Sequence, residues 1–281
     1  MNNTLSKFRI VADSAADITA LDSVPFAAAP LKIIAGDREF IDTDGLNVVE
    51  MVDYLKSHKG KSTSSCPNPD EWLAAFGDAQ YILGVTLSGN ISGSCNAAQI
   101  AKEIYEAEHP ERHVFIIDSL SAGTGEALLV EKLEELVQSG MPYRDICNEI
   151  KKYQRKTGLL FMLESLTNFA NNGRVNPAVA KIVGLLGINI VGKASNAGTL
   201  EPINKCRGLK KALDAIVGHL RGEGFTHGKI RISHCFNEGG ALELKQKLIE
   251  VFGHADIKIS ETKGLCSYYA ERGGILVGYE L

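Results

Sequence analysis

Short apolar runs and amphipathic stretches alternate along the first half of the chain. Phe8-Arg9-Ile10-Val11-Ala12 reads as a buried strand that breaks at Asp13-Ser14. Asn47 is placed to cap a helix from Val48 to Lys56, with Glu50 returning the capping bond. Asn68-Pro69-Asp70-Glu71 combines a cap, a first-turn proline and early acids, and Gly77 suits the exit of that helix. Tyr81 to Thr86 is strand-like, Ser94 to Ala107 helical, and Val114 to Ile117 strand-like again. A helix from about Gly125 ends at Gly140 before Pro142, with Leu129, Leu133, Leu136 and Val137 on one face. Strand, loop and helix in this order predict a parallel sheet covered by helices on both faces.

The second half has a different rhythm. Gly158 to Leu163 is strand-like, and Asn176-Pro177 begins a predicted helix through Val183 to Gly187. Ile188–Val191 and Thr199–Ile203 read as paired strands joined through the turn signal Asn196-Ala197-Gly198. Helices at Leu209–Leu220 and Ala241–Phe252 alternate with strands at Lys229–Ser233 and Asp256–Ile259, and Ile275 to Tyr279 is a last strand. The expected fold class is therefore α/β: an N-terminal parallel sheet covered by helices plus a smaller C-terminal α+β domain. The boundary falls near Lys156, dividing residues 1–157 from 158–281.

Composition narrows the class. Of 281 residues 44% are hydrophobic and 23% charged, with a formal net charge of −4, so a packed core is affordable and disorder is excluded. The mildly acidic balance lacks any long Lys/Arg run, which argues against nucleic-acid binding. No apolar stretch approaches the ~20 residues of a membrane span, so stable membrane insertion is not expected. Met1-Asn2-Asn3-Thr4 leads straight into a strand-like run rather than a secretory signal. Cys66, Cys95, Cys147, Cys206, Cys235 and Cys266 show no zinc or redox spacing, and the histidines form no ligand pattern. A cytoplasmic protein without a bound metal or other cofactor is the expectation.

In an open parallel sheet, ligands bind beyond the carboxyl ends of the strands. Asp13-Ser14, Thr86-Leu87-Ser88 and Asp118-Ser119 lie at such ends. Two polar loops, Ser62-Thr63-Ser64-Ser65 and Ser88 to Ser94, precede helices, where hydroxyls and free N–H groups either hold an anion or simply cap the helix. In Asn171-Asn172-Gly173-Arg174 the arginine is a surface residue unless the second domain turns it toward the crevice. Gly187 to Lys193 misses a P-loop because Ala194 takes the Ser/Thr place, Gly123-Thr124-Gly125 lacks the third dinucleotide glycine, and no serine sits in a nucleophile elbow. The chain carries anion-binding chemistry without an evident nucleophile–base pair.

These residues together resemble the DegV family of bacterial fatty-acid-binding proteins, nearly end to end. Asp13-Ser14-Ala15-Ala16-Asp17 resembles its opening Asp-Ser-x-x-Asp, and Thr63-Ser64 followed by Pro67 its Thr-Ser-Gln-Pro, from which Ser65-Cys66 departs. Ser92-Gly93-Ser94 resembles Ser-Gly-Thr, Ile117-Asp118-Ser119 with Gly123 and Gly125 the third strand and its helix start, and Leu166 to Val175 the Leu-x-x-Leu-x-x-Gly-Gly-Arg-Ile motif. Cys206-Arg207-Gly208 matches an Arg-Gly before a basic helix.

The resemblance implies a long-chain fatty acid such as palmitate, stearate or oleate between two domains. It implies head-group ligands at Thr63, Ser64, Ser92 and Gly93, support of phosphoryl transfer by Arg174, and a partner in an ATP-binding fatty-acid kinase subunit. The family's Lys-Pro corresponds to Asn189-Ile190, and its C-terminal histidine is missing around Ala270-Glu271-Arg272. Tyr268 and Tyr269 are the expected replacement ligands, with Arg272 a charged alternative. A lipid carrier without catalysis of its own is the first expectation. The other is a stand-alone enzyme acting on a small phosphorylated or carboxylated metabolite, with Asp13 or Asp118 as base.

Overall fold

The structure, a computed structural model, describes residues 5–175, 187–253 and 256–281. Strand β1 (Phe8–Asp13) runs into a single 3-10 turn at Ser14–Ala16. Then come β2 (Phe26–Ala29), β3 (Lys32–Ala35), β4 (Arg38–Ile41), helix α1 (Val48–Ser57), β5 (Ser62–Ser65) and α2 (Pro69–Phe76). The first half continues with β6 (Tyr81–Thr86), α3 (Ser94–Glu108), β7 (His113–Asp118), α4 (Thr124–Gln138) and α5 (Tyr143–Gln154). The second half holds β8 (Thr157–Leu163), α6 (Thr167–Asn171), β9 (Ile188–Ala194), β10 (Leu200–Arg207) and α7 (Leu209–Gly222). It ends with β11 (Lys229–His234), α8 (Glu238–Phe252), β12 (Asp256–Glu261), α9 (Gly264–Ala270) and β13 (Ile275–Glu280). The helix predicted over 176–187 lies outside the described residues, apart from Gly187.

Among the described residues β2-β1-β6-β7 form a parallel sheet, and β10-β9-β8-β13-β11-β12 a mixed sheet in which only β11 and β12 run parallel. The expected α/β architecture is therefore present. The parallel sheet is apolar on both faces. Ile10, Leu83 and Val85 pack with α4 and α5, while Val11, Ile82 and Ile116 pack with Trp72 and Phe76 of α2 and the alanines of α3. Helix α4 is buried nearly all round because it also touches β8, β11 and β13. It is the layer on which the two sheets meet, and each of Leu128, Leu129 and Leu133 contributes ~2 kcal/mol there by leaving water. The far face of the mixed sheet closes against α7 and α8 through Leu213, Ile216, Leu244 and Leu248.

Several elements depart from the sequence expectation. A third, antiparallel sheet β4-β3-β5 lies among residues given no structure by pattern. Its β3–β4 turn is Gly36-Asp37, with Gly36 at φ +62°, a hairpin signal that was available to be read. The polar segment Ser62–Ser65 is not a loop: it is strand β5, paired antiparallel to β3. Helix α5 follows Pro142 directly, its Ile146, Ile150 and Tyr153 forming one buried stripe.

Candidate functional site

The C-terminal ends of β1, β6 and β7 point toward the mixed sheet, and a cavity of about 250 Å³ opens between them. Ala15, Leu87 and Ala122 line it from the strand ends of the parallel sheet, and Leu31 from the link between β2 and β3. The alternation of β8 sends Leu160 and Met162 into the core beneath and turns Leu159, Phe161 and Leu163 to the cavity, where Leu200 and Leu276 join them. Helix α9 adds Leu265, Cys266, Tyr269 and Ala270. Among its described lining residues the cavity has no carboxylate, and Arg174 is the cation.

The polar groups of the lining are linked to one another. Ser64 Oγ and the Tyr269 hydroxyl lie 2.7 Å apart, and the Ser64 N–H donates to Asn172 Oδ1 at 3.1 Å. Arg174 Nε donates to the Ile91 carbonyl at 2.9 Å, beside Ser92, and its guanidinium also reaches the Asn172 carbonyl. Cys66 Sγ lies against Gly93, where an added Cβ would meet it at 3.1 Å. One edge of the cavity therefore gathers Ser64, Ser92, Gly93, Tyr269 and Arg174. Burial pushes the Tyr269 phenol up, so it is a neutral hydroxyl at ordinary pH.

Thr63 does not join them. On strand β5 successive side chains face opposite ways, and Thr63 is exposed beside Ile34 while Ser62 and Ser64 turn inward to α9. Of the four residues expected to hold a head group, Ser64, Ser92 and Gly93 lie in the cavity lining, with Ser65 next to Ser64, and Thr63 does not. Tyr268 is also turned away: its hydroxyl meets Ser62 Oγ at 3.0 Å and accepts from Asn172 Nδ2 at 2.8 Å, outside the cavity lining. Arg272 is spent on Asp53 at 2.6 Å and on the ring of Phe236. Asn172, which knits β5, α6 and α9 together, was visible in sequence only as a departure from Gly-Gly-Arg.

Behind the cavity wall sits a cluster of buried acids. Asp13 accepts from Ala15 N–H, Leu87 N–H and, at 2.6 Å, Ser94 Oγ. Asp42 accepts from Gly264 and Leu265 N–H, and Asp17 from Lys263 N–H, so two carboxyls grip the start of α9. Burial raises Asp13 to about 7, and burial together with the Asp42 charge raises Asp17 to about 8. Part of Asp17 is exposed, but its Oδ2 is sealed from solvent without a partner. Burial, then the charges of Asp13 and Asp17, holds Glu126 well above its ordinary range. Asp118 accepts from Gly89 and Leu120 N–H. Neither Asp13 nor Asp118 lines the cavity, so the geometry gives no support to either as a base acting on a ligand there.

A profile of the family described as "Uncharacterised protein, DegV family" matches residues 7–280. A DegV domain-containing protein of Streptococcus pneumoniae serotype 4 is 42% identical over 278 residues, 98% of this chain and 99% of its own. Among solved structures, a DegV family protein from Eubacterium eligens loaded with heptadecanoic acid superposes with a TM-score of 0.95 at 42% identity, covering 97% of this chain and 99% of its own. The Fatty Acid Kinase (Fak) B3 protein of Streptococcus pneumoniae, loaded with linoleic acid, is as similar, with a TM-score of 0.95, 42% identity and the same coverage.

Proposed function

The chain belongs to the DegV family, and from that premise we propose that it binds one long-chain fatty acid, such as palmitate, stearate or oleate, in the cavity between its parallel and mixed sheets. The observation that carries this reading is the lining itself: apolar walls, no carboxylate, and serine hydroxyls with one guanidinium along a single edge. Burying an acyl chain gains ~0.8 kcal/mol per methylene, but a carboxylate buried with it needs charge-assisted or hydroxyl partners. Ser64, Ser92 and Gly93 take the head group in this reading, Tyr269 contributes its hydroxyl through Ser64, and Arg174 stands beside them to support phosphoryl transfer. Residues 1–157 and 158–281 act as two units that close over the chain. The two relatives loaded with fatty acids at 42% identity support the same assignment.

The protein works, we further infer, as a carrier in the cytoplasm, presenting the carboxylate to an ATP-binding fatty-acid kinase subunit rather than transforming it alone. The structure of the Fak B3 relative supports that partnership, and among the described residues no helix is long and apolar enough to cross a membrane. Native mass spectrometry of protein purified from a bacterial host is the direct test. A mass increment matching a long-chain fatty acid is expected; bare protein after incubation with palmitate and oleate overturns the reading. Arg174→Ala then separates carriage from chemistry. It should retain lipid and lose acyl-phosphate formation with the kinase subunit, because a guanidinium stabilises developing phosphoryl charge. Full turnover in that variant removes Arg174 from the chemistry.

A further inference from the structure

A residue just outside the cavity lining ties the two halves of the chain together at the polar edge. The carboxamide of Asn172 meets the free edge of β5 much as a neighbouring strand would: Oδ1 accepts from the Ser64 N–H at 3.1 Å, and Nδ2 reaches the Ser62 carbonyl at 3.4 Å. Nδ2 also donates to the Asn168 carbonyl and to the Tyr268 hydroxyl, each at 2.8 Å. The amide has one workable orientation, because a flip would set its NH2 against an N–H and its oxygen against two carbonyls. Having accepted from Nδ2, the Tyr268 hydroxyl turns its own proton to Ser62 Oγ, 3.0 Å away. That leaves the Ser64–Tyr269 pair, 2.7 Å apart, with a proton to turn toward the cavity. The Asn172 carbonyl in turn accepts from the Arg174 guanidinium, whose Nε donates to the Ile91 carbonyl beside Ser92.

We propose that Asn172 is a positioning residue for the carboxylate of the ligand. Its carboxamide sets where the Ser64 hydroxyl stands, and its carbonyl steadies Arg174, so serine and guanidinium from the two halves hold one fixed arrangement. Asn172 lies outside the cavity lining and acts on the head group through Ser64. This rests on the fatty-acid reading above and adds to it a residue, remote from the ligand, on which affinity depends.

A double-mutant cycle on palmitate affinity tests this, with wild type, Asn172→Ala, Ser64→Ala and the double variant. Each single change should weaken binding roughly fivefold, the worth of one ordinary hydrogen bond. The double variant should stay within about twofold of Ser64→Ala, because the residue through which Asn172 acts is already gone. Equal losses in both backgrounds, multiplying to roughly 25-fold, mean a general structural role and overturn the proposal. Wild-type affinity in Asn172→Ala overturns it too. Asn172→Asp keeps the test alive where the alanine variant fails to fold. Its carboxylate still accepts from the Ser64 N–H but has no proton for the Asn168 carbonyl, whereas the protonated acid has one. Its affinity relative to wild type at the same pH should therefore recover between pH 8 and pH 5, and a ratio that does not change with pH overturns the assignment. Failure of the wild type to bind palmitate at all overturns the fatty-acid reading instead.

Discussion

Two polar regions lie one layer apart in this protein and behave oppositely. The acids Asp13, Asp17, Asp42 and Glu126 are packed behind the cavity, and Asp13, Asp17 and Asp42 have accepted N–H groups from three separate stretches of chain. The hydroxyls of Ser64, Ser92 and Tyr269 face the cavity itself or its edge, where no carboxylate competes with an incoming anion. In sequence both sets are polar residues near strand ends. At Asp13 and Asp42 the fold has already filled the carboxyl with backbone donors, whereas a hydroxyl at the cavity edge can still turn its proton outward.

Removing one side of the contrast should have the largest effect. Asp13→Ala strands two buried N–H groups and the Ser94 hydroxyl, so urea denaturation should show a loss of about 3–5 kcal/mol. An unchanged midpoint would deny the acid cluster its structural role. Ser64→Ala combined with Ser92→Ala should do the reverse. Affinity for palmitate falls tenfold or more at ~1–3 kcal/mol per lost hydroxyl, while the urea midpoint of the ligand-free protein stays near wild type. A double variant that binds normally places the carboxylate elsewhere.

Acidity sharpens the same contrast. Asp17 titrates near 3.8 ordinarily and near 8 when folded, so between those values the folded protein holds more protons than the unfolded chain. Stability from this group therefore declines as pH rises through that window and levels off above it. Asp17→Asn keeps the acceptor for the Lys263 N–H and escapes the decline. Calorimetry at pH 5, 7 and 9 should show the variant gaining on wild type with each step, by up to about 4 kcal/mol at the last. A constant difference would mean that Asp17 does not titrate in this range. The smallest effects divide the adjacent tyrosines. Tyr268→Phe should cost about 1 kcal/mol of stability and spare lipid affinity, Tyr269→Phe should weaken binding a few-fold and spare stability, and Thr63→Val should change either by less than ~0.5 kcal/mol.

The long amphipathic helices and the apolar strands were legible because burial on one or both faces imposes a period that local pattern records. Strand β2 was not: Phe26-Ala27-Ala28-Ala29 has little intrinsic strand preference and is held in place by pairing with β1. Helix α9 is short and nearly all buried, so it carries no amphipathic signature. The polar edge of the cavity was readable to within one residue. Aligning Thr-Ser-Gln-Pro on Thr63 rather than on Pro67 put the threonine position one place early, and on a strand one place is the opposite face. Counting back from Pro67 brings Ser64 to that position. The split between Tyr268 and Tyr269 was invisible, since it depends on where α9 docks.

That docking has a consequence for how the protein is made. The start of α9 is held by Asp17 and Asp42 across 222 to 246 positions of sequence, and Cys266 meets the carbonyl of Ala15 across 251. Contacts of such long range form late, after most of the chain has paid its loop-closure entropy. A growing polypeptide still lacking α9 has neither the far wall of the cavity nor Tyr269 at its edge. Completion of the cavity is thereby deferred until synthesis has passed this helix, so a half-built chain presents no finished site to a ligand.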